Sequence, residues 1–533
     1  MTQPADLLII NARAITLDPA QPQAEALAVA GGRIAFVGSA AAELRGPHTR
    51  VIDAAGRTLI PGIIDSHYHL LWGALKLDDI RFEGVGSYVE MATVVREYAA
   101  DQPDKPWLAG YGLGYGMLPD HAALTRQHLD AIIADRPLIV VAFDLHTAWA
   151  NTRALELADL LHGGVCEPGN EIVMAGDGTA SGELREPGAY NQVMALTPKP
   201  DDIQSRRLLH KGLAQAARYG ITSIHNMDGD ARQMARYAEL EDRDELTLRV
   251  YIPYLATPET PPEALAEAVA MRAAQSRLVR SNCVKFFMDG VVESYTALML
   301  DDYADRPGNR GAAIFSAEQF TQLATAADRL GLQIAVHAIG DAAVRRTLDG
   351  FAHAQHVNGR RDSRHRIEHI EVLHPDDLPR FKQLGVIASM QPLHAAISVP
   401  GHVWADRVGV ERWGRAFPWR TLRESGAHLV FGSDWPVVTQ NPFLGMQAAL
   451  GRRPWADGQP PQAQTLEDTL AAYTRDAAYV EFQEGVKGQL RAGMAADLAL
   501  LSGDLATTPA EALAEMTAVL TICDGRIVYE GQR

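Results

Sequence analysis

The chain has 533 residues, of which 47% are hydrophobic and 22% charged, proportions typical of a large globular protein with more than one domain. Its formal net charge of −17 argues against a nucleic-acid partner, because such partners are held by clustered Lys and Arg side chains. Apolar runs fall short of the roughly 20 residues that a membrane-spanning helix needs, and the first residues lack the pattern of a signal peptide. We therefore expect a cytoplasmic protein that binds neither nucleic acid nor membrane.

Short strands and turns are predicted at both ends of the chain. At the N-terminal end, 7–17 and 33–38 are strand-like and are separated by the turn Gly31-Gly32. At the C-terminal end, 496–501 has the same character, and Asp524-Gly525 is a strong hairpin signal. Because chain termini commonly meet at the surface, we predict that both ends contribute strands to one small sheet that brackets a central domain.

The central part of the chain alternates between apolar, strand-like runs and segments of helical composition. Eight such runs end at polar residues: 58–64, 221–225, 247–255, 282–288, 332–336, 365–371, 386–390 and 428–431. This alternation predicts an α/β fold, a (β/α)8 TIM barrel, in which the chemistry lies at the C-terminal ends of the strands. The interval 70–201 is too long for a single crossover, so we predict an insertion after the first barrel strand.

Two histidines separated by one residue follow the first of these runs. Because side chains i and i+2 share a face of a strand, His67 and His69 can reach one ion together. Neutral imidazole is a good ligand for zinc and neighbouring transition metals. Taken alone, the pair is equally consistent with two polar residues that close a strand. Cys166, Cys283 and Cys523 form no CxxC pair, which indicates neither a disulfide framework nor a thiolate zinc site.

Four further strand ends carry residues that would complete a metal site. They are Lys285 on the fourth strand, His337 on the fifth, His369 on the sixth and Asp434 on the eighth. Ligands this far apart in sequence converge only if each lies at the same face of the barrel. A lysine ammonium has no lone pair for a metal, but carbamylation by carbon dioxide would turn Lys285 into a carboxylate able to bridge two ions. Strand alternation predicts that Glu368 points away from His369.

These stretches together resemble the amidohydrolase superfamily of metal-dependent hydrolases, in particular its subgroup of N-substituted formamide deformylase-like proteins. The resemblance covers nearly the whole chain, and its matching segments are 61–69, 284–290, 336–341, 366–369 and 431–436. It implies a hydrolase barrel over 58–484, a small β-sandwich domain over 1–57 and 485–533, and the insertion at about 70–201. It also implies one or two divalent ions, zinc foremost, held by His67, His69, Lys285, His337, His369 and Asp434, with Lys285 carboxylated.

In this family the aspartate of the eighth strand acts as a base, which makes Asp434 the predicted catalytic residue. It would deprotonate the metal-activated water and pass the proton to the leaving nitrogen. The alternative role of Asp434 is to cap a turn before Trp435-Pro436, and that of Lys285 is a salt bridge to Asp289 or Glu293. Contacts with substrate are predicted, each with a structural role as the alternative, for His146, Glu186, Asp289, Glu293 and Trp435.

The predicted function is that of a metal-dependent hydrolase that cleaves a non-peptide carbon–nitrogen bond, amide or formamide-like, in a small molecule. The same site would also serve a deaminase or a lactone or ester hydrolase, because all of them use activated water. A non-catalytic binding protein with this fold is disfavoured, because all six key positions carry chemically competent residues. Barrels of this kind commonly associate, so a homodimer is expected.

Overall fold

The computed structural model describes residues 4–82, 84–119, 122–143, 147–166 and 170–531. The chain divides into two compact units, one comprising the residues up to 73 and from 209 onward, the other comprising 74–208. Within the described residues, no helix is both long enough and apolar enough to cross a membrane.

Strands and helices alternate along most of the chain. The strands are β1 Leu7–Ile10, β2 Arg13–Ile15, β3 Gln23–Ala24, β4 Leu27–Ala30, β5 Arg33–Val37, β6 Arg50–Asp53, β7 Thr58–Pro61, β8 Ile63–Tyr68, β9 Ile80–Arg81, β10 Leu108–Leu113, β11 Leu138–Ala142, β12 Thr147–Ala150, β13 Glu171–Met174, β14 Ala180–Arg185, β15 Ile221–Asn226, β16 Arg249–Tyr251, β17 Tyr254–Leu255, β18 Val279–Arg280, β19 Cys283–Phe287, β20 Gln333–Ala338, β21 Arg366–His369, β22 Ile387–Met390, β23 His428–Phe431, β24 Leu498–Leu501, β25 Ala518–Cys523 and β26 Arg526–Glu530. The α-helices are α1 Leu70–Leu75, α2 Tyr88–Asp101, α3 Arg126–Ile132, α4 Thr152–Leu157, α5 Pro187–Met194, α6 Asp202–Arg218, α7 Ala231–Asp242, α8 Leu265–Ala273, α9 Ala317–Arg329, α10 Asp341–Asn358, α11 Leu378–Leu384, α12 Pro392–Ile397, α13 Val403–Val408, α14 Val410–Trp413, α15 Trp419–Glu424, α16 Pro442–Gly451, α17 Leu466–Ala472 and α18 Arg475–Val480.

Two sheets at the chain ends pack on a common core. One has the strand order β5-β4-β1-β6 and the other the order β26-β25-β24-β7-β2-β3, so the second sheet joins strands from both ends of the chain. Side chains from both sheets meet in one hydrophobic cluster, in which Ile9, Leu27, Leu59, Leu498 and Ile522 are fully buried. The shared core holds the two ends of the chain together.

Eight parallel strands of the described chain form a barrel in sequence order. β8, β15 and β16 pair in turn, and β17 begins the run β17-β19-β20-β21-β22-β23. β17 follows β16 after two residues and β18 leads into β19, so two interrupted strands join the halves. The ring closes where the Asp434 N–H donates to the His67 carbonyl at 2.6 Å and the His69 N–H donates to the Trp435 carbonyl at 2.9 Å. The predicted (β/α)8 barrel is confirmed.

The predicted strand 58–64 is in fact two strands that serve different sheets. β7 pairs with β2 and β24 in the sheet of the chain ends, whereas β8 pairs with β15 in the barrel. Gly62 separates them at a close crossing, because a Cβ atom there would lie 2.0 Å from Thr222 Oγ1. Hydrophobic periodicity cannot detect this division, since both strands are fully buried.

Residues 74–208 form a six-stranded sheet with helices on both faces. Its strand order is β13-β14-β12-β11-β10-β9, with β9, β10 and β11 parallel and the other pairs antiparallel. Helices α2 and α3 bury Val95 and Leu129 in one hydrophobic cluster, and α4 and α5 bury Leu155 and Val193 in another. The long interval after the first barrel strand therefore has cores of its own.

A buried carboxylate on α9 ties two helices to the start of β21. Asp328 accepts hydrogen bonds from Asn358 at 2.9 Å and Arg361 at 2.7 Å, and lies 3.2 Å from His365 Nε2. Burial raises the pKa of Asp328, but these hydrogen bonds and the Arg361 charge outweigh it and lower the pKa to about 2. The carboxylate is therefore ionised at neutral pH and stabilises the fold in that form.

Asp328→Asn should lower the melting temperature at neutral pH, because the donors of Arg361 and His365 lose a charged acceptor, at a cost of about 2–4 kcal/mol. A carboxyl group whose pKa is lowered by folding stabilises the native state above its unfolded pKa of about 3.9 and loses that effect as the pH falls toward 2. Calorimetry should therefore show the full difference between wild type and variant at about pH 6 and a shrinking one below about pH 4. A difference that is constant over this range would contradict the assignment.

Candidate metal centre

His67 and His69 leave β8 toward the same carboxylate. Asp434 Oδ1 lies 3.4 Å from His67 Nε2 and 3.1 Å from His69 Nε2. Each ring is oriented through its other nitrogen, since His67 Nδ1 lies 2.8 Å from Glu368 Oε2 and His69 Nδ1 lies 2.7 Å from Asp228 Oδ1. A histidine that donates Nδ1–H to a carboxylate presents an Nε2 lone pair. Both rings can therefore offer Nε2 as a ligand atom beside Asp434.

Two further histidine rings lie next to this pair. Between centroids, the His369 ring is 4.8 Å from that of His67 and 4.4 Å from that of His337. His337 Nε2 lies 3.2 Å from the Gly290 carbonyl oxygen, which occupies one of its two ring nitrogens. His369 Nδ1 is buried and has no hydrogen-bond partner among the residues that the structure describes. Such a nitrogen raises the free energy of the fold unless a ligand binds it.

Two of the ligand candidates have left-handed backbone conformations. The φ angle is 76° at His369 and 64° at Asp434, values that cost a non-glycine residue of order 1–3 kcal/mol. Glu368 and His369 both contact the ring of His67. The expectation that Glu368 points away from His369 is therefore wrong, because the regular alternation of the strand is broken by the backbone turn at His369.

Lys285 is fully buried in β19. Its Nζ has no hydrogen-bond partner in the described part of the chain, so no salt bridge to Asp289 or Glu293 holds it there. The ring of Phe287 lies 4.8 Å from Nζ. Burial lowers the pKa of Lys285 to about 8, against the opposing effect of neighbouring carboxylates such as Glu368. A buried amine that finds no hydrogen-bond partner among the described residues fits the predicted modification of this lysine.

Burial and mutual contacts shift the pKa values of the cluster in opposite directions. Burial lowers the pKa of His67 to about 4 and that of His337 to about 3, and burial beside His337 lowers that of His369 well below its usual value. Burial also disfavours a charged His69, but its contacts with two carboxylates outweigh this and raise its pKa to about 9. Burial alone would raise the pKa of Asp434, yet the neighbouring His67 and His69 hold it well below the usual range. Three imidazoles are thus neutral and Asp434 is ionised, the forms in which these side chains bind metal. His69 is protonated in this metal-free arrangement and would release its Nε2 proton on binding an ion.

The donor set fits a divalent transition metal. One ligand atom each from His67, His369 and Asp434 lies within 4.8 Å of the other two, and all three residues are buried. Imidazole nitrogen with carboxylate oxygen is the ligand chemistry of zinc and its neighbours. His69 contacts Asp434 and His337 contacts His369, so the structure brings these predicted ligands together. Their individual roles as ligands stay predictions, as does that of Lys285.

A histidine that the sequence prediction missed lies beside Asp434. His394 on α12 has its Nε2 3.6 Å from Asp434 Oδ2, and its ring stacks on that of His369 at 5.7 Å. Its Nδ1 lies 3.3 Å from Glu371 Oε1, and Glu371 Oε2 accepts a hydrogen bond from Trp404 at 2.6 Å. The available signal was its position just after the seventh barrel strand, where barrel chemistry also collects.

Asp289 and Trp435, two of the predicted substrate contacts, are buried. Asp289 accepts three backbone N–H groups, at 2.8 to 3.0 Å, from the loops that follow the fourth and fifth barrel strands. Trp435 packs on Tyr68 at 5.0 Å between ring centroids, and a Cβ atom at Gly73 would lie 2.3 Å from the Trp435 ring. Both environments favour a structural role over contact with substrate.

The other predicted substrate contacts have different positions. Glu293 lies in the partly exposed turn Val292–Ser294 of the barrel unit. Glu186 precedes α5 in the second unit, where its φ angle of 66° is left-handed. His146 lies outside the described residues. Contact of these three residues with substrate stays a prediction.

Gly432 sits where the eighth strand approaches the first. A Cβ atom there would lie 2.3 Å from the His67 backbone nitrogen and 2.9 Å from Asp65 Oδ1. Gly432→Ala should therefore force the ligand-bearing strands apart at a cost of about 1–3 kcal/mol and lower the metal content measured by mass spectrometry. Gly485→Ala, where nothing lies within 4 Å of the added atom, is the matched control and should retain its metal. Equal metal contents would contradict this prediction.

Comparison with known proteins agrees with this geometry. Residues 50–529 match the sequence profile of the amidohydrolase family. The protein LONG AFTER FAR-RED 3 of Arabidopsis thaliana is 30% identical over 93% of this chain and 87% of its own, and N-substituted formamide deformylase of Arthrobacter pascens is 27% identical over 99% of both chains. The crystal structure of an uncharacterized metal-dependent hydrolase from Pyrococcus horikoshii OT3 has a TM-score of 0.75 at 24% identity, covering 95% of this chain and 99% of that one. The chain therefore belongs to the amidohydrolase family.

Proposed function

We propose that this protein is a metal-dependent hydrolase that cleaves a non-peptide carbon–nitrogen bond in a small amide or formamide-like substrate. The observation that carries the proposal is the meeting of ligand atoms from His67, His369 and Asp434 within 4.8 Å of one another at the ends of barrel strands. The likeness to N-substituted formamide deformylase along 99% of both chains favours a carbon–nitrogen bond as the target. A divalent ion bound here would polarise the substrate carbonyl and lower the pKa of a coordinated water from about 15.7 to about 7.

Asp434 is placed to move the proton in this reaction. Its Oδ1 lies beside His67 and His69, and its Oδ2 faces His394. Its ionised carboxylate would accept a proton from the attacking water and deliver it to the leaving nitrogen as the carbon–nitrogen bond breaks. One water is consumed, and the products are a carboxylic acid and an amine.

Protein reconstituted separately with Zn²⁺, Mn²⁺ and Fe²⁺ should hydrolyse an N-substituted formamide or another amide in a panel that also contains lactones, esters and cyclic amidines. Asp434→Asn should lower kcat on that substrate by about 10²–10⁴-fold, because the proton-transferring group is lost. Asp328→Asn changes a buried carboxylate at the other end of β21 and should leave kcat intact. Turnover of amidines or lactones alone would reassign the bond that is cleaved, and no turnover of any panel member would overturn the hydrolase proposal.

We also propose that Lys285 is carboxylated, in which form its two carbamate oxygens would hold and bridge the metal ions. The Nζ atom would form a bond to the carbon of carbon dioxide and release one proton, which gives a carbamate with two ligand oxygens. The burial of Lys285 and the lack of a hydrogen-bond partner for Nζ among the described residues support this step. Burial of an unpaired ammonium would otherwise be costly.

Lys285→Ala should lose metal and activity, and short carboxylates such as acetate should restore part of both by supplying the missing oxygen ligands. Native mass spectrometry of the metal-loaded wild type should show the added mass of one carbon dioxide. Lys382→Ala removes an exposed lysine and is the control that should leave metal content, activity and the added mass unchanged. An unmodified Lys285 in a fully loaded, active enzyme would overturn the bridging role.

A further inference from the structure

A row of charged and polar side chains crosses the barrel interior and ends at the metal centre. Each member is at most 3% exposed. The row, called here the buried ion column, consists of Lys487, Glu481, His225, Arg366, Glu368 and His67. Burying ions is expensive because each loses its hydration, and well-packed apolar side chains often fill such a space at no loss of stability.

The lower half of the buried ion column runs from Lys487 to Arg366. Lys487 Nζ lies 2.5 Å from Glu481 Oε1, and the same oxygen lies 3.4 Å from His225 Nε2. His225 Nδ1 accepts a hydrogen bond from Arg366 Nη1 at 2.7 Å. Because a guanidinium can only donate, Nδ1 of this neutral imidazole is the acceptor and Nε2 carries the proton that faces Glu481. The hydrogen bond from Arg366 thereby fixes which nitrogen of His225 carries the proton.

Arg366 occupies the centre of the column and donates from all three of its side-chain nitrogens. Its Nε donates to Glu368 Oε1 at 2.5 Å. The two N–H groups of Nη2 are shared among Glu368 Oε2 at 3.1 Å, the Ser66 carbonyl oxygen and Ser389 Oγ. With the bond to His225, one guanidinium on β21 contacts β8, β15 and β22. This two-point hold on Glu368 fixes the carboxylate that lies 2.8 Å from His67 Nδ1.

We propose that the buried ion column is a positioning device for the metal centre, in which Arg366 and Glu368 orient the His67 ring so that Nε2 faces the ion. This inference rests on the metal site of the proposed function. It assigns a positioning role to Arg366 and Glu368, which are not among the predicted ligands. Ligating histidines commonly donate their second N–H to a carboxylate, and loss of that partner lowers metal affinity by about 10–100-fold. Here the carboxylate is itself held by a fully buried guanidinium, so the orientation of His67 depends on the interior of the barrel.

Glu368→Gln tests the proposal with a readout besides activity. The glutamine amide cannot accept from Arg366 and from His67 at the same time without turning its own N–H groups toward one of these donors. Zn²⁺ affinity, measured by chelator competition, should fall about 10–100-fold, and the visible absorption of the Co²⁺-loaded protein should change. Asp328→Asn is the matched control, since it alters another buried histidine–carboxylate pair in the same barrel and should change neither quantity.

Circular dichroism and melting of the metal-free proteins separate positioning from folding. If Glu368→Gln fails to fold, Arg366→Lys is the second test. Lysine keeps the positive charge but lacks the planar guanidinium that contacts both oxygens of Glu368, so Zn²⁺ binding should weaken at least about 3-fold. A folded Glu368→Gln protein with the affinity and Co²⁺ spectrum of the wild type would overturn the proposal, as would a folded Arg366→Lys protein with unchanged affinity. A wild type that binds no metal would overturn the proposed function, and this inference with it.

Discussion

The barrel and its metal centre both depend on how the first barrel strand meets the eighth. Asp65 Oδ1 accepts the backbone N–H of His67 at 3.2 Å and that of Ser433 at 2.9 Å, so one buried oxygen holds two strand ends together. Gly432 permits the approach, since any side chain there would collide with the backbone of His67. The hydrogen bonds that complete the sheet therefore also place ligands from opposite ends of the barrel sequence side by side.

Backbone strain and unpaired polar atoms both occur among the ligand candidates. His369 and Asp434 have positive φ angles, and His369 Nδ1 and Lys285 Nζ lack hydrogen-bond partners within the described ranges. Each feature lowers the stability of the metal-free fold, and each persists only because well-packed surroundings enforce it. A cation that binds these groups would recover part of that free energy, because binding to the native state alone stabilises it. These features of the ligand candidates fit a site that binds a cation.

The sequence predicted which side chains would lie together, because the signal at each strand end is local. An apolar run that stops at His67, His337 or His369 is visible without knowledge of the fold, and the barrel rule says that such ends converge. Gly62 shows where this logic stops, since the division between β7 and β8 depends on a contact with Thr222 that periodicity does not encode. The predicted direction of the Glu368 side chain was wrong for a related reason, because the alternation rule presumes a regular strand.

His394 and Arg366 show what strand-end reasoning leaves out. His394 lies on a helix beyond its strand, and Arg366 lies at the start of β21, yet one faces Asp434 and the other holds the partner of His67. Their importance comes from contacts between distant segments, which a single sequence does not reveal.

The ligand candidates and the residues predicted to contact substrate lie in different structural settings. The ligand candidates belong to strands whose ends are held by barrel closure, so the resemblance in those segments transfers a reaction class. Of the side chains predicted to contact substrate, Asp289 accepts backbone hydrogen bonds and Trp435 packs against Tyr68. Glu186 belongs to the second unit. Glu186 and Glu293 lie outside the barrel strands, so barrel closure does not fix their positions. A reaction class argued from the strand ends therefore leaves the choice of substrate to be argued from other side chains.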